Sequence, residues 1–154
     1  MQEVASTLRP AEVIQLVLSL VAAVAVIYSL AQVRAELRLQ VFFEYTRRFD
    51  QISASLPAGA LDRPWVELPV EDAARTEAAM RQYIDLCSQE WWLNSAGRID
   101  RGVWEVWERA IAEMLATPGG SYAWQTLRPG YLNVFPGFAA FMDEAVAAGA
   151  AAGR

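Results

Sequence analysis

One uninterrupted apolar stretch, Val13 to Ala31, constrains this chain more than any other feature of its sequence. It contains no charged residue, no proline and no glycine. As an α-helix it would be roughly 29 Å long, which matches the hydrocarbon thickness of a lipid bilayer. The stretch therefore predicts a transmembrane helix, which we place at residues 13–33.

Three other interpretations of this stretch are weaker. A core helix of a soluble domain rarely runs this long without a charge. A cleaved signal peptide would need a basic N-terminal region, but Met1–Glu12 holds two acids and only Arg9, although Ser29-Leu30-Ala31 has the small residues of a cleavage site. A helix lying on the membrane surface would have one polar face, and this stretch is apolar all round.

The arginines around the stretch predict its orientation. Arg9 precedes it, whereas four arginines follow closely: Arg34, Arg38, Arg47 and Arg48. Because basic residues stay on the cytoplasmic side, we expect a short extracytoplasmic leader at residues 1–12 and a cytoplasmic C-terminal domain. Arg34 and Arg38 are the candidate membrane-anchoring residues, since their side chains can extend to the lipid head groups.

The helix has no residue that would end it at the membrane surface, because residues 33–56 contain neither proline nor glycine. We therefore predict a juxtamembrane helix at residues 34–56. Large apolar residues recur on one face of it at helical spacing, which indicates packing on the domain that follows. They are Val41, Phe42, Tyr45, Phe49, Ile52 and Leu56.

Three prolines and Gly59 make residues 57–70 a connector, in which Trp65 is expected to hold the loop on the domain.

Residues 71–147 are predicted to form the helical domain. The second helix of the chain covers about 71–94, with Gly97 as its C-cap. The third covers about 101–116, with Asp100 as its N-cap. Thr117-Pro118-Gly119-Gly120 is taken as a helix stop, followed by a short helix at 121–127 and a last one at 135–147. Residues 148–154 are expected to be a disordered tail. The predicted fold class is all-α: an N-terminal transmembrane helix that continues into a small cytoplasmic helical bundle.

Composition removes several classes of function. The net charge is −5, and residues 57–154 hold eight arginines against thirteen acids, so nucleic acid is not an expected partner. The chain has no histidine, the commonest general base and metal ligand, and one cysteine, which cannot form an internal disulfide. No phosphate-binding or dinucleotide-binding motif is present, so no cofactor and no metal site are predicted.

One constellation has chemical interest: Tyr83, Cys87 and Glu90 lie along one side of the second helix. A nucleophilic thiol needs a base or a cationic neighbour, and no histidine exists to serve as one. A buried structural cysteine is therefore the better interpretation. Glu90 is expected to bond a tyrosine, a tryptophan N–H or an arginine such as Arg98 or Arg101. We predict no catalytic residue, and a cysteine- or carboxylate-based enzyme is the weakest of three hypotheses.

A set of motifs from Tyr83 onward resembles a known family. It comprises Leu86-Cys87-x-x-Glu90-Trp91-Trp92-Leu93, Gly97-x-Ile99-Asp100, Trp104-x-x-Trp107, Pro118 and Trp124. Together with a single span in front, these motifs resemble a bacterial family of single-span, membrane-anchored small helical proteins that has no known activity. The resemblance implies fold and topology, and it places the span in the bacterial inner membrane.

Two groups of residues are candidate partner-binding sites. Trp92 lies on the polar side of its helix, where an exposed ring would be an anchor for a protein partner. The equal alternative is that the ring packs under the connector or on the first helix. Ser19, Ala22 and Ala23 form a small-residue face on the span that can pack against another helix.

The favoured function is a membrane-tethered, non-enzymatic interaction module. The alternative is an accessory subunit of a larger membrane complex, docked through the span. Expected partners are the lipid bilayer and an unidentified protein, with a second copy of this chain as a further candidate.

Overall fold

The computed structural model describes residues 10–152, apart from the side chains of residues 10, 12, 13, 34, 35, 38 and 150–152. Five α-helices and one 3-10 helix make up this range. They are α1 (Pro10–Ser55), the 3-10 helix (Trp65–Glu67), α2 (Val70–Ser95), α3 (Arg101–Ala116), α4 (Pro118–Leu132) and α5 (Pro136–Ala152). The described residues contain no strand, which confirms the all-α prediction.

The chain divides into two compact units, and the first ends at Leu39. Within it, Ile14–Val33 is the one described helical segment long and apolar enough to cross a membrane, with a mean hydropathy of 2.3. None of this segment is buried, so it is not a core helix of the described chain. Residues 1–9 of the predicted leader lie outside the described residues. The last three residues of the leader belong to α1, which begins at Pro10, and proline suits a first helical position.

The second unit begins at Gln40, and the C-terminal part of α1 belongs to it. The predicted apolar face of this part packs on the domain. Phe42 stacks on Trp107 of α3 at 6.3 Å between ring centroids, and Phe49 meets the edge of Tyr83 of α2 at 6.1 Å. Farther along, Ile52 and Leu56 pack against the core. The predicted packing of this helix is therefore confirmed, although its side chains are only partly buried.

The predicted caps of α2 and α3 are also confirmed. Gly97 has a φ of 63°, and the Arg98 amide donates to the Leu93 carbonyl at 2.9 Å, which is the bond that closes a Schellman motif. The Asp100 carboxylate accepts a hydrogen bond of 2.8 Å from the Gly102 amide at the start of α3. In the connector, Trp65 is buried and its ring meets Tyr122 edge-on at 5.0 Å.

The predicted end of α3 is confirmed, because this helix stops at Ala116 with Thr117 as its C-cap. The predicted start of the next helix at residue 121 is wrong, because Pro118-Gly119-Gly120 already form the first turn of α4. The Thr117 hydroxyl accepts a 3.0 Å hydrogen bond from the Gly120 amide, and Pro118 occupies a first-turn position where no N–H is needed. A Cβ on Gly120 would clash with the Met114 carbonyl oxygen. The glycines therefore permit a close corner between α3 and α4, and α4 continues past Pro129 to Leu132.

The predicted disordered tail at residues 148–154 is also wrong for its described part, because α5 continues to Ala152. Alanine has the highest helix propensity, and the small residues let α5 approach α3 closely. A Cβ on Gly149 would lie 2.7 Å from the Cβ of Ala116. Residues 153–154 lie outside the described residues.

Aromatic rings from three helices meet at the centre of the bundle around Phe138 of α5, which is fully buried. Its ring lies 6.2 Å from Trp91 of α2, and 5.9 Å and 5.6 Å from Trp124 and Tyr131 of α4.

A polar clamp on Asp143 fixes α4 to α5 beside this cluster. Arg128 donates to both carboxylate oxygens, and the Trp124 indole N–H donates at 2.8 Å. These bonds, chiefly those from Arg128, lower the pKa of Asp143.

The packing of α1 on the domain predicts that a soluble fragment beginning at Leu39 folds cooperatively, whereas one beginning at Pro57 does not. The shorter fragment would expose Tyr83 and Trp107 to water, and each partly buried aromatic ring lost contributes roughly 1–2 kcal/mol. Such losses are a large fraction of the stability of a small domain. Thermal unfolding followed by circular dichroism compares the two fragments, and equal melting temperatures would contradict the prediction.

A pair of phenylalanines on α1 gives a matched control within the longer fragment. Phe49→Ala should lower the free energy of unfolding by about 2 kcal/mol, because Phe49 packs against Tyr83 and the core. Phe43→Ala should change it by less than about 0.5 kcal/mol, because the Phe43 side chain is 64% exposed.

Candidate functional site

The predicted docking face of the span lies on the surface of α1. Ser19, Ala22 and Ala23 are all exposed, as are the larger apolar residues between them. The face is therefore accessible to lipid or to another helix. Arg34 and Arg38, the predicted membrane anchors, belong to α1, and their side chains lie outside the described part of the structure.

Trp92, the other predicted partner-binding residue, is 53% exposed near the C-terminal end of α2. The turn from α4 to α5 lies beside this part of α2. Tyr131 donates a hydrogen bond to Asp85, and Phe138 packs on Trp91. Between these two contacts the turn carries three further exposed apolar residues, Leu132, Val134 and Phe135. We call these three residues and Trp92 the Trp92 surface.

Cys87 is completely buried in the core of the bundle. Burial raises the pKa of its thiol well above the usual range, and the nearby Glu90 raises it further. The thiol is therefore protonated at neutral pH, whereas a nucleophilic cysteine needs a lowered pKa and access to substrate. The structure places Cys87 among packing residues, as the sequence indicated.

Glu90 departs from the sequence prediction. The prediction of a tyrosine, tryptophan or arginine partner is wrong, because Glu90 is only 6% exposed and forms no hydrogen bond or ion pair with any described residue. Arg101, one of the proposed partners, instead bonds Glu105 on its own helix at 2.9 Å. Removal from water raises the pKa of the Glu90 carboxyl from 4.5 to about 8, so the group is largely neutral at pH 7.

Glu90 lines a cavity of about 230 Å³ between the C-terminal part of α1, α2 and α3. We call it the aromatic cavity, because five of its lining side chains are aromatic rings from all three helices. The complete lining is Phe42, Tyr45, Thr46, Phe49, Tyr83, Glu90, Val106, Trp107, Ala110 and Ile111. The rings hold one another in place, with Tyr45 and Trp107 only 5.4 Å apart between centroids.

The lining of the aromatic cavity includes no basic side chain. Arg48 of α1 lies over the ring of Tyr45 at 5.4 Å from its centroid. Its guanidinium is bonded to Glu44 at 2.9 Å and to Gln89 at 3.2 Å. Desolvation raises the pKa values of Tyr45 and Tyr83, so both phenols are neutral. Glu90 is thus the one carboxyl group at this cavity.

Comparisons with known proteins give the chain no relative. No protein-family model matches the sequence, and no curated protein or solved structure is significantly similar to it. The described residues also contain no cluster of three or more histidine, cysteine, aspartate or glutamate side chains that could hold a metal ion.

Sequence reasoning missed the aromatic cavity because its walls come from helices far apart in the chain. A usable signal was nevertheless present. Glu90 lies on the same helical face as Tyr83 and Cys87, and an acid in an apolar stripe is either paired or functionally special. The Asp143 clamp gave a similar signal, since Asp143 lies in the apolar sequence of α5.

The raised pKa of Glu90 predicts that stability falls as pH rises. Between pH 4.5 and about 8 the folded state binds one more proton than the unfolded state, so the free energy of unfolding decreases across this window. Glu90→Gln removes this dependence without changing the side-chain shape. The stability of the variant relative to the wild type should increase by about 3 kcal/mol between pH 5 and pH 8.

The measurement is denaturant unfolding of the Leu39 fragment at several pH values. Glu108→Gln is the matched control, because Glu108 is an exposed acid on α3 and remains in water in both states. It should follow the wild-type pH profile. A wild-type profile for Glu90→Gln as well would show that Glu90 ionises freely in the folded protein.

Proposed function

We propose that this protein is a membrane-tethered, non-enzymatic interaction module. In this proposal Ile14–Val33 spans the bacterial inner membrane once, the helical bundle faces the cytoplasm, and the bundle presents a surface to a protein partner. The same proposal places the chain in the family of single-span, membrane-anchored helical proteins that its motifs resemble. Lipid is the proposed environment of the span because all of its described large apolar side chains are exposed.

The observation that carries this proposal is the exposed Trp92 surface. A large ring that is half exposed on an otherwise polar face of a helix costs hydration free energy unless another surface covers it. Tryptophan is also the residue most often found at the energetic centre of protein interfaces. The turn from α4 to α5 adds three further exposed apolar residues, and the occupant we propose is a protein with a complementary apolar site.

The second candidate function is an accessory subunit of a larger membrane complex. The observation that favours it is the exposure of Ser19, Ala22 and Ala23, which would let another transmembrane helix approach closely. The two functions differ in which surface carries specificity. A tether needs only the length and apolarity of the span, whereas a docked subunit needs its particular side chains.

A comparison of two variants separates these functions. In the first, an unrelated Leu/Ala segment of equal length replaces residues 13–31, while Arg9, Arg34 and Arg38 are kept. The second is Trp92→Ala in the native chain, with Val70→Ala as its control, since Val70 is an apolar residue that is 89% exposed on the same helix. The measurement is co-purification with partner proteins from gently solubilised membranes, quantified by mass spectrometry.

If the chain is an interaction module, the span replacement and Val70→Ala should retain the wild-type partner. Trp92→Ala should reduce the amount of co-purified partner at least about tenfold. Loss of the partner on span replacement, with normal recovery in Trp92→Ala, would refute the module and favour the accessory subunit. A second copy of this chain as the partner would be recognised by recovery of a differently tagged copy.

Topology gives a separate prediction. The arginines after the span should hold the bundle in the cytoplasm, so Ala148→Cys in a Cys87→Ala background should resist a membrane-impermeant thiol reagent in intact cells. Ala148 is exposed on α5, so the same cysteine should react once the membrane is opened. Rapid labelling while the inner membrane is intact would place the bundle outside the cytoplasm.

A further inference from the structure

The aromatic cavity holds a carboxyl group that the fold does not use. Glu90 is only 6% exposed, lines the cavity and has no hydrogen-bond or charge partner among the described residues. Buried acids in proteins are normally paired with a cation or a hydrogen-bond donor, because burial of an unpaired carboxyl group lowers the stability of the folded protein. The replacement of such a group by a neutral residue would stabilise the bundle, so its presence calls for a ligand.

The lining indicates which chemistry that ligand has. The faces of Phe49 and Trp107 carry negative electrostatic potential, which attracts cations within about 6 Å of a ring centroid. Tyr45 already attracts a cation in this way, since Arg48 lies 5.4 Å from its ring centroid. Glu90 adds a full negative charge when it ionises. No arginine lines the cavity, and Arg48 beside Tyr45 is already paired with Glu44, so a bound cation would supply the positive charge opposite Glu90.

We propose that the aromatic cavity binds an organic cation, an ammonium group with an apolar body, whose charge lies against Glu90 and whose carbon atoms lie against the surrounding rings. Aromatic rings combined with one carboxylate form the arrangement expected for recognition of methylated or alkylated ammonium groups. A metal cation is a poorer match, because the cavity lining offers one carboxylate and mainly apolar surface, whereas metal ions need several oxygen, nitrogen or sulfur ligands.

The size of the cavity limits the ligand. A volume of 230 Å³ corresponds to the liquid volume of about eight water molecules, which is below the usual range of drug-sized sites. A small quaternary ammonium compound or a lipid head group would therefore fit, whereas a peptide would not. Free choline and a choline or ethanolamine head group share this chemistry and differ only in their source.

Cation binding should release a proton. Glu90 is largely protonated in the empty protein at pH 7, and it has to ionise to pair with a cation. The other titratable groups that face it are Tyr45 from α1 and Tyr83 and Cys87 from α2, and all three stay neutral near pH 7. The residues of α3 that line the cavity do not titrate. Affinity should therefore increase about tenfold per pH unit between pH 6 and pH 7.5.

The test is calorimetric titration of the full-length chain in a non-ionic detergent with choline and with 3,3-dimethylbutan-1-ol. These two compounds have nearly the same shape, but only choline is charged. Choline should bind with a dissociation constant of about 1 mM or below, and the neutral alcohol at least about tenfold more weakly. Repeating the choline titration in buffers of different ionisation enthalpy measures the protons released, and close to one is expected at pH 7.

Two variants assign the effect to Glu90. Glu90→Gln keeps the shape of the side chain and should reduce choline binding at least about tenfold, whereas the exposed Glu108→Gln should bind as the wild type does. Equal binding of choline and the neutral alcohol to the wild-type chain would overturn the proposal and identify a site for neutral compounds. Unchanged choline binding in Glu90→Gln, or no choline binding at any pH from 6 to 8.5, would also overturn it.

Two further arms distinguish the sources of the cation. The chain is placed in nanodiscs of phosphatidylglycerol alone, or in nanodiscs that also contain phosphatidylethanolamine, and the choline titration is repeated. Weaker apparent choline binding in the second discs supports occupation by a lipid head group. Equal binding in both supports a soluble cation.

Discussion

The bundle depends on aromatic packing around Phe138. This ring is fully buried, and it contacts rings from α2, from α4 and from α5 itself. Each such ring removes a large apolar area from water. Edge-on and tilted ring pairs add a smaller favourable interaction energy that depends on the orientation of the rings. The cluster therefore fixes three helices at once, and the Asp143 clamp and the close contact of α5 with Ala116 follow from the positions it sets. The aromatic cavity owes its shape to a second group of rings, in which Trp107 holds the side chains of α1.

Two residues of α2 depart from the usual distribution of side chains between core and surface, and they lie two positions apart. Trp92 is a large ring exposed to water, and Glu90 is an acid enclosed by rings. Because neighbouring positions on a helix point in different directions, the proposed protein-binding surface at Trp92 and the proposed cation site at Glu90 are separate. The proposed partner binding and the proposed cation binding can therefore occur on the same module, and α2 connects them.

Most of the secondary structure could be predicted from the sequence, because its signals are local. The bounds of α3, the cap at Asp100 and the turn at Gly97 each depend on residues within one helical turn. The prediction failed at α4 and at the end of α5. There Pro118, Gly120 and Gly149 look like helix breakers, but they allow close helix packing that the chain order alone does not reveal.

The sequence by itself determined the apolar segment, the all-helical architecture and the apolar face of α1, since hydrophobic periodicity and caps are properties of neighbouring residues. It also indicated that Cys87 is structural, because no histidine exists to activate the thiol. Tertiary structure alone decided that Trp92 is exposed, that Glu90 has no described partner and that a cavity forms beside it. Those outcomes depend on how closely α1, α2 and α3 approach one another, and side chains that are far apart in the sequence set these distances.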